Sequence, residues 1–290
     1  MATRFEPAGP LRGSLRPPPD KSISHRAALI AAMGEGETAI EGYLDSDDTR
    51  STLAAVRALG AEVEGVGSAG VEPTIHIRGV GLRGPSSAQI DVGNAGTLLR
   101  LLPGWLAGQE EGTWTLDGDD SIRRRPVDRI AAPLRRMGAS LSCREGRLPP
   151  LRIEAAPLSA IEYELPVASA QVKSCLLFAG LLAEGETWVR EPARSRDHTE
   201  RMLSAAGAAV TWLSGGISIR PAKRLELGEF AVPTDFSSSA FFIVAALLVP
   251  GSEVALEGVG TNPTRTGLLA ILERMGAEIE VEPDSDETER

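Results

Sequence analysis

Four times along the chain the same alternation of polar and apolar positions recurs. Small or hydroxyl-bearing residues lead into a run rich in alanine and leucine. A glycine and a turn follow, then a short strand, a charged stretch, and a second run that closes on Gly-Ala before another strand. The first copy reads "KSISHRAALIAAMGEGETAIEGYLDSDDTRSTLAAVRALGAEVEG"; the others open at "NAGTLLRLLPGWLAG", "AQVKSCLLFAGLLAEG" and "SSSAFFIVAALLVPG". The closing glycines are Gly60, Gly138, Gly207 and Gly276, at spacings of 78, 69 and 69 residues. Each stands where a helix needs a left-handed residue past its end. In the second run, apolar residues fall at helical intervals: Leu53, Val56 and Leu59; Ile130, Leu134 and Met137; Leu268, Leu272 and Met275. Strands "TIHIRG", "LRIEA" and "ISIRP" follow the first three copies. The period exceeds the roughly 20–45 residues of a thin solenoid. The pattern therefore predicts an α/β protein of βαβαββ units whose helices pack inside, against the units around them.

The fourth copy is unfinished, running from "GAEIEVE" into the acidic "PDSDETER", a stretch expected to fray. Three copies are expected to close one domain over residues 18–231. Residues 1–17 and 232–290 would then form an incomplete second domain in a truncated chain.

The openings of the copies carry the candidate chemistry. "PDKSISHR", "DVGNAGTLLR", "VASAQVKS" and "TDFSSSAFF" are rich in small and hydroxyl residues, as exposed helix starts are. Cations accompany them: Lys21, Arg26, Arg100, Arg125, Lys173 and Arg196. Each alone reads as a solvated charge. Recurring beside helix N-termini, whose free N–H groups and dipoles favour anions, they point to a phosphate or carboxylate seat.

Composition narrows the partners. The 290 residues carry a formal net charge of −10, which argues against nucleic-acid binding by bulk charge. Cys143 and Cys175 offer neither a disulfide framework nor metal-ligand spacing. No run nears the roughly 20 apolar residues of a membrane span, and "MATRFEPAGP" lacks a signal's apolar centre, so the chain reads as soluble and cytoplasmic. His25, His76 and His198 are dispersed, Ser237–Ser239 read as a capping run, and Asp45, Asp47 and Asp48 read as acids complementing a helix dipole. No P-loop or dinucleotide fingerprint occurs, and no metal or organic cofactor is implied.

"DKSISHR", "GNAGTLLR", "RRPVDRI", "ASAQVKS", "RDHTERML" and "NPTRTGLL", in this order, resemble the EPSP synthase family. The resemblance implies an inside-out α/β fold of two three-unit domains hinged around a cleft, monomeric at full length. It implies transfer of the enolpyruvyl group of phosphoenolpyruvate to the 5-hydroxyl of shikimate 3-phosphate, with no cofactor. By resemblance Lys21, Ser22, Arg26, Ser169, Ala170, Gln171 and Arg196 would bind shikimate 3-phosphate. Lys21, Asn94, Gly96, Arg125 and Gln171 would bound the phosphoenolpyruvate pocket, where glyphosate also binds in the family. Arginine forks suit such oxyanions, and a glycine at 96 admits ligand to the backbone.

The chain also departs from the family. The family's acid–base segments, Asp-Glu-Tyr-Pro and Lys-Glu-Ser-Asp, do not occur, so no catalytic set is complete and the 290-residue chain is expected to turn over slowly or not at all. Pro19 stands where glycine is usual, and Ala170 where many members have serine. Two rival readings are a UDP-N-acetylglucosamine enolpyruvyl transferase, against which the Lys-Ser-Ile-Ser-His-Arg opening argues, and a non-catalytic phosphometabolite-binding fragment.

Overall fold

The computed structural model describes residues 9–65 and 74–283. The expected fraying of the acidic terminus from 284 onward, and the first eight residues assigned to the second domain, lie outside them. The chain begins with β1 (Arg12–Leu15) and continues through α1 (Lys21–Met33), β2 (Glu37–Glu41), α2 (Asp47–Ala58), β3 (Glu62–Glu64) and β4 (Ile75–Arg78). The second copy is β5 (Ala88–Asp91), α3 (Gly96–Ala107), β6 (Thr113–Asp117), α4 (Asp128–Arg136), β7 (Ser140–Arg144) and β8 (Leu148–Glu154). The third is β9 (Glu162–Glu164), α5 (Ala170–Gly180), β10 (Thr187–Arg190), α6 (His198–Ala205), β11 (Val210–Leu213) and β12 (Gly216–Ile219). Then come β13 (Glu229–Ala231), α7 (Phe236–Leu248), β14 (Glu253–Leu256) and α8 (Gly267–Arg274).

The contacts divide the chain into two units, residues 21–231 and residues 9–20 with 232–283. In the larger unit three four-stranded sheets share one plan: β13-β2-β4-β3, β5-β6-β8-β7 and β9-β10-β12-β11. In each, the first pair is parallel and the others antiparallel. A parallel neighbour demands a crossover, which here is the buried helix α3 or α5. The first sheet takes its parallel strand from the far end of the unit, β13, so its first and last segments are tied together. β1 pairs in parallel with β14 in the smaller unit.

Burial explains why helices lie inside. Every residue of α1 from Ile23 to Met33 is buried, as is every residue of α5 from Val172 to Gly180. The strands alternate, β8 running buried-exposed from Pro149 to Glu154, so each sheet turns one face to the helices and the other to solvent. α3 and α5 approach so closely that a Cβ on Gly104 would stand 2.0 Å from the Cys175 carbonyl oxygen. Cys175 is fully buried, and desolvation pushes its thiol pKa up, so it serves as packing.

In the smaller unit Asp235 caps α7 by accepting from the Ser237 amide, so the serines after it occupy the first turn rather than the cap. Arg265, its side chain 8% exposed, donates to Asp20 at 3.2 Å and Asp235 at 3.0 Å. Phe241 and Leu248 of α7 are 80% and 75% exposed.

Candidate functional site

In the larger unit α3 and α5 run alongside one another from their first turns, and α1 meets α5 near its own start. Thr97 in the first turn of α3 accepts from Gln171 in the first turn of α5 at 3.3 Å. Arg26, in the second turn of α1, donates to Ser174 in the second turn of α5 at 3.2 Å. Each end therefore brings the positive end of a helix dipole to one place. No side chain caps α3, whose N-cap is Ala95, and Ser169 caps α5.

Around these ends the arginines interlock. Arg26, 2% exposed, donates through Nη1 to the Ser22 carbonyl at 2.9 Å and through Nε to Thr199 Oγ1 at 2.7 Å. The loop before α6 delivers Arg196, which donates to Ser22 Oγ at 3.4 Å. Lys21 reaches Asp48 at 2.9 Å, its side chain half exposed. Arg100 of α3 donates to Gln171 Oε1 at 3.2 Å. Burial first, then the like charges of Arg129 and Arg125, pulls the Arg100 guanidinium below its ordinary pKa, a sign of how densely positive this corner is.

Arg125 completes the corner. Its Nη2 donates to Asn94 Oδ1 at 2.5 Å and to Ser121 Oγ at 3.1 Å. Asn94 in turn donates to Asp119 at 2.7 Å, which fixes the orientation of its amide. The Asp119 carboxyl is held below its usual range by the Ile122 amide and by Asn94. A Cβ on Gly96 would lie 2.7 Å from Arg125 Nη1 and 3.2 Å from Arg100 Nη1. The missing side chain is thus what leaves room for these two guanidinium groups beside the start of α3.

The site residues named from the sequence lie in this one unit, and bonds join most of them in two chains: Ser22, Arg26 and Arg196, and Asn94, Gly96, Arg125 and Gln171, the last two linked through Arg100 and Gly96. Lys21 pairs with Asp48 instead, Ser169 caps α5, and Ala170 opens it. Gln171 and Ser174, one turn apart on α5, link the two chains. Lys173 is different. Counted among the helix-start cations, it lies inward instead, 3% exposed, with its ammonium 2.6 Å from Glu191 and 2.6 Å from Glu200. Sequence reasoning missed the polar residues that lock the seat: Thr97, Ser174 and Thr199. The motifs "GTLLR", "KSC" and "DHTER" each contained one, without a signal separating it from a helix-start hydroxyl.

Fold and side-chain arrangement together define an α/β protein of repeated units, with arginines gathered over converging helix N-termini. The family model for EPSP synthase (3-phosphoshikimate 1-carboxyvinyltransferase) matches residues 5–290, and the chain belongs to this family. Among curated relatives, the 3-phosphoshikimate 1-carboxyvinyltransferase of Thermus thermophilus is 52% identical over 289 residues, covering 96% of this chain and 65% of that protein. That of Methylococcus capsulatus is 49% identical over 278 residues, covering 95% and 62%. A solved EPSP synthase from Acinetobacter baumannii superposes with a TM-score of 0.87 at 44% identity, covering 96% of this chain and 62% of that one. The chain thus spans a little under two thirds of the length of these relatives. Among the described residues no helix is long and apolar enough to cross a membrane, and no His/Cys/Asp/Glu cluster could hold a metal.

Proposed function

We propose that this chain binds shikimate 3-phosphate and phosphoenolpyruvate on the larger unit, and that it serves transfer of the enolpyruvyl group to the 5-hydroxyl of shikimate 3-phosphate with release of phosphate. The observation carrying the reading is the bonded convergence of three helix N-termini with Arg26, Arg100, Arg125 and Arg196. Two substrates bring two phosphates and two carboxylates, so a site for both needs several fixed positive groups close together.

The shikimate 3-phosphate half is assigned to Lys21, Ser22, Arg26, Ser169, Ala170, Gln171 and Arg196. Ser22 Oγ, already met by Arg196, offers a hydroxyl and a guanidinium to one phosphate. Arg26 has its donors committed to Ser22, Ser174 and Thr199, so it acts by holding that frame and by its charge. The phosphoenolpyruvate half is assigned to Lys21, Asn94, Gly96, Arg125 and Gln171. Gln171, tied to Thr97 and Arg100, stands between the two halves. The transfer also needs a proton delivered to the methylene carbon of phosphoenolpyruvate and one taken from the hydroxyl; these roles are assigned to none of the residues above.

Thermal denaturation distinguishes the reading from its rivals. Shikimate 3-phosphate at 100-fold over its dissociation constant stabilises by about 2.7 kcal/mol through mass action, raising the melting temperature. A rise with UDP-N-acetylglucosamine and none with shikimate 3-phosphate would contradict it.

A further inference from the structure

Lys173 has no part in the seat as assigned, yet it is among the most deeply placed charges of the larger unit. Its ammonium sits between Glu191 Oε2 and Glu200 Oε1, each at 2.6 Å. Glu191 follows β10 directly, and Glu200 lies in the first turn of α6. Between them runs the segment that carries Arg196. The segment is tied again at both ends: Ser195 donates its hydroxyl to the other carboxylate oxygen of Glu191, and Thr199 accepts from Arg26 at 2.7 Å. Ser174, the residue after Lys173, pairs with Thr199 at 2.6 Å. Stability alone does not explain such a cluster, since well-packed apolar replacements of buried ion pairs are often neutral or stabilising. Fixed geometry is what two short ion pairs to one nitrogen add.

We propose that Lys173 is a positioning residue, whose ammonium pins both ends of segment 191–200 and so fixes where Arg196 meets the phosphate of shikimate 3-phosphate. The inference rests on the binding reading given above. Breaking the clamp with Lys173→Met leaves two carboxylates facing each other without their cation, so the segment loosens and Arg196 loses its fixed place beside Ser22.

The test pairs two measurements on the 290-residue chain. Amide hydrogen exchange of Lys173→Met is expected to speed at least tenfold across residues 191–201, with α3 and β5–β8 changed less than twofold. Unchanged exchange in that segment, or an equal increase everywhere, overturns the proposal. Calorimetric titration is then expected to show at least a tenfold loss for shikimate 3-phosphate and less than twofold for shikimate, which lacks the phosphate. In the background of Arg196→Gln, Lys173→Met should add less than twofold, because both act through one contact; fully additive losses contradict the proposal. Lys173→Arg, which keeps the charge, should recover part of the phosphate selectivity; recovery by Lys173→Gln to the same degree would contradict it. If the unaltered chain does not bind shikimate 3-phosphate, the functional reading fails, and the exchange result still judges the clamp.

Discussion

At the scale of single residues, Gly96 is the most informative position, because its environment is two guanidinium groups rather than a packed core. A methyl there meets the far ends of flexible side chains, so Gly96→Ala is expected to displace Arg125 and Arg100 without unfolding the unit. Affinity for phosphoenolpyruvate and glyphosate should fall at least tenfold, shikimate 3-phosphate affinity should change less than about twofold, and the melting temperature should move little. Equal losses for both ligands in a binding titration would contradict the assignment of Gly96 to one pocket. His25 gives a second residue-scale prediction. Buried beside Thr52, its pKa is lowered to about 3, chiefly by desolvation, with Asp48 opposing. The unfolded chain therefore binds a proton that the native state refuses between about pH 6.5 and 3, and stability falls as pH drops through that window by up to ~1.4 kcal/mol per unit. Denaturant titrations from pH 7 to 4.5 should show a shallower slope for His25→Asn; an unchanged slope would assign the loss to other groups. His25 and Lys173 also mark where sequence reading stopped. His25 sits in a stretch dense with charge and Lys173 is the lone charge between Glu164 and Glu184, yet what they face, Thr52 for one and Glu191 with Glu200 for the other, comes from elsewhere in the chain.

At the scale of elements, the repeat was legible because it is written in local chemistry. Each copy has small residues where a helix starts, an apolar run that is buried all round in α1 and α5 though not in α7, and glycine where the second helix ends; Gly60, Gly138, Gly207 and Gly276 all take positive φ. The unlocalised part is what crosses between copies. Nothing in "EFA" at 229–231 signals that β13 completes the sheet of β2 rather than one nearer in sequence, since parallel pairing over so long a separation leaves no local trace. The side-by-side approach of α3 and α5 was hidden for the same reason: Gly104 reads as a poor helix former until the Cys175 backbone is seen against it. Gly104→Ala should cost at least ~2 kcal/mol, because the clash is with backbone that cannot swing away. Denaturant unfolding measures it; a change under ~0.5 kcal/mol, the range of an indifferent surface substitution, would mean the two helices do not approach so closely.

At the scale of the whole molecule, a chain with a formal net charge of −10 gathers Arg26, Arg100, Arg125 and Arg196 around three helix ends. Bulk charge and site charge are separate properties, and only the second recruits a small anion. This is also why composition argued only against nucleic-acid binding by bulk charge and said nothing of a phosphate ester; the family resemblance suggested the proposed ligand, and the bonded geometry offers a physical reason for it. We expect these helix ends and arginines to form one seat for a phosphorylated cyclic hydroxy acid. Calorimetric titration of the 290-residue chain with shikimate 3-phosphate, beside shikimate, tests it most directly. Saturable one-site binding of the phosphate ester is expected, at least tenfold tighter than shikimate and weakened by Arg196→Gln; equal affinities for the two ligands, or none for the ester, would overturn the assignment.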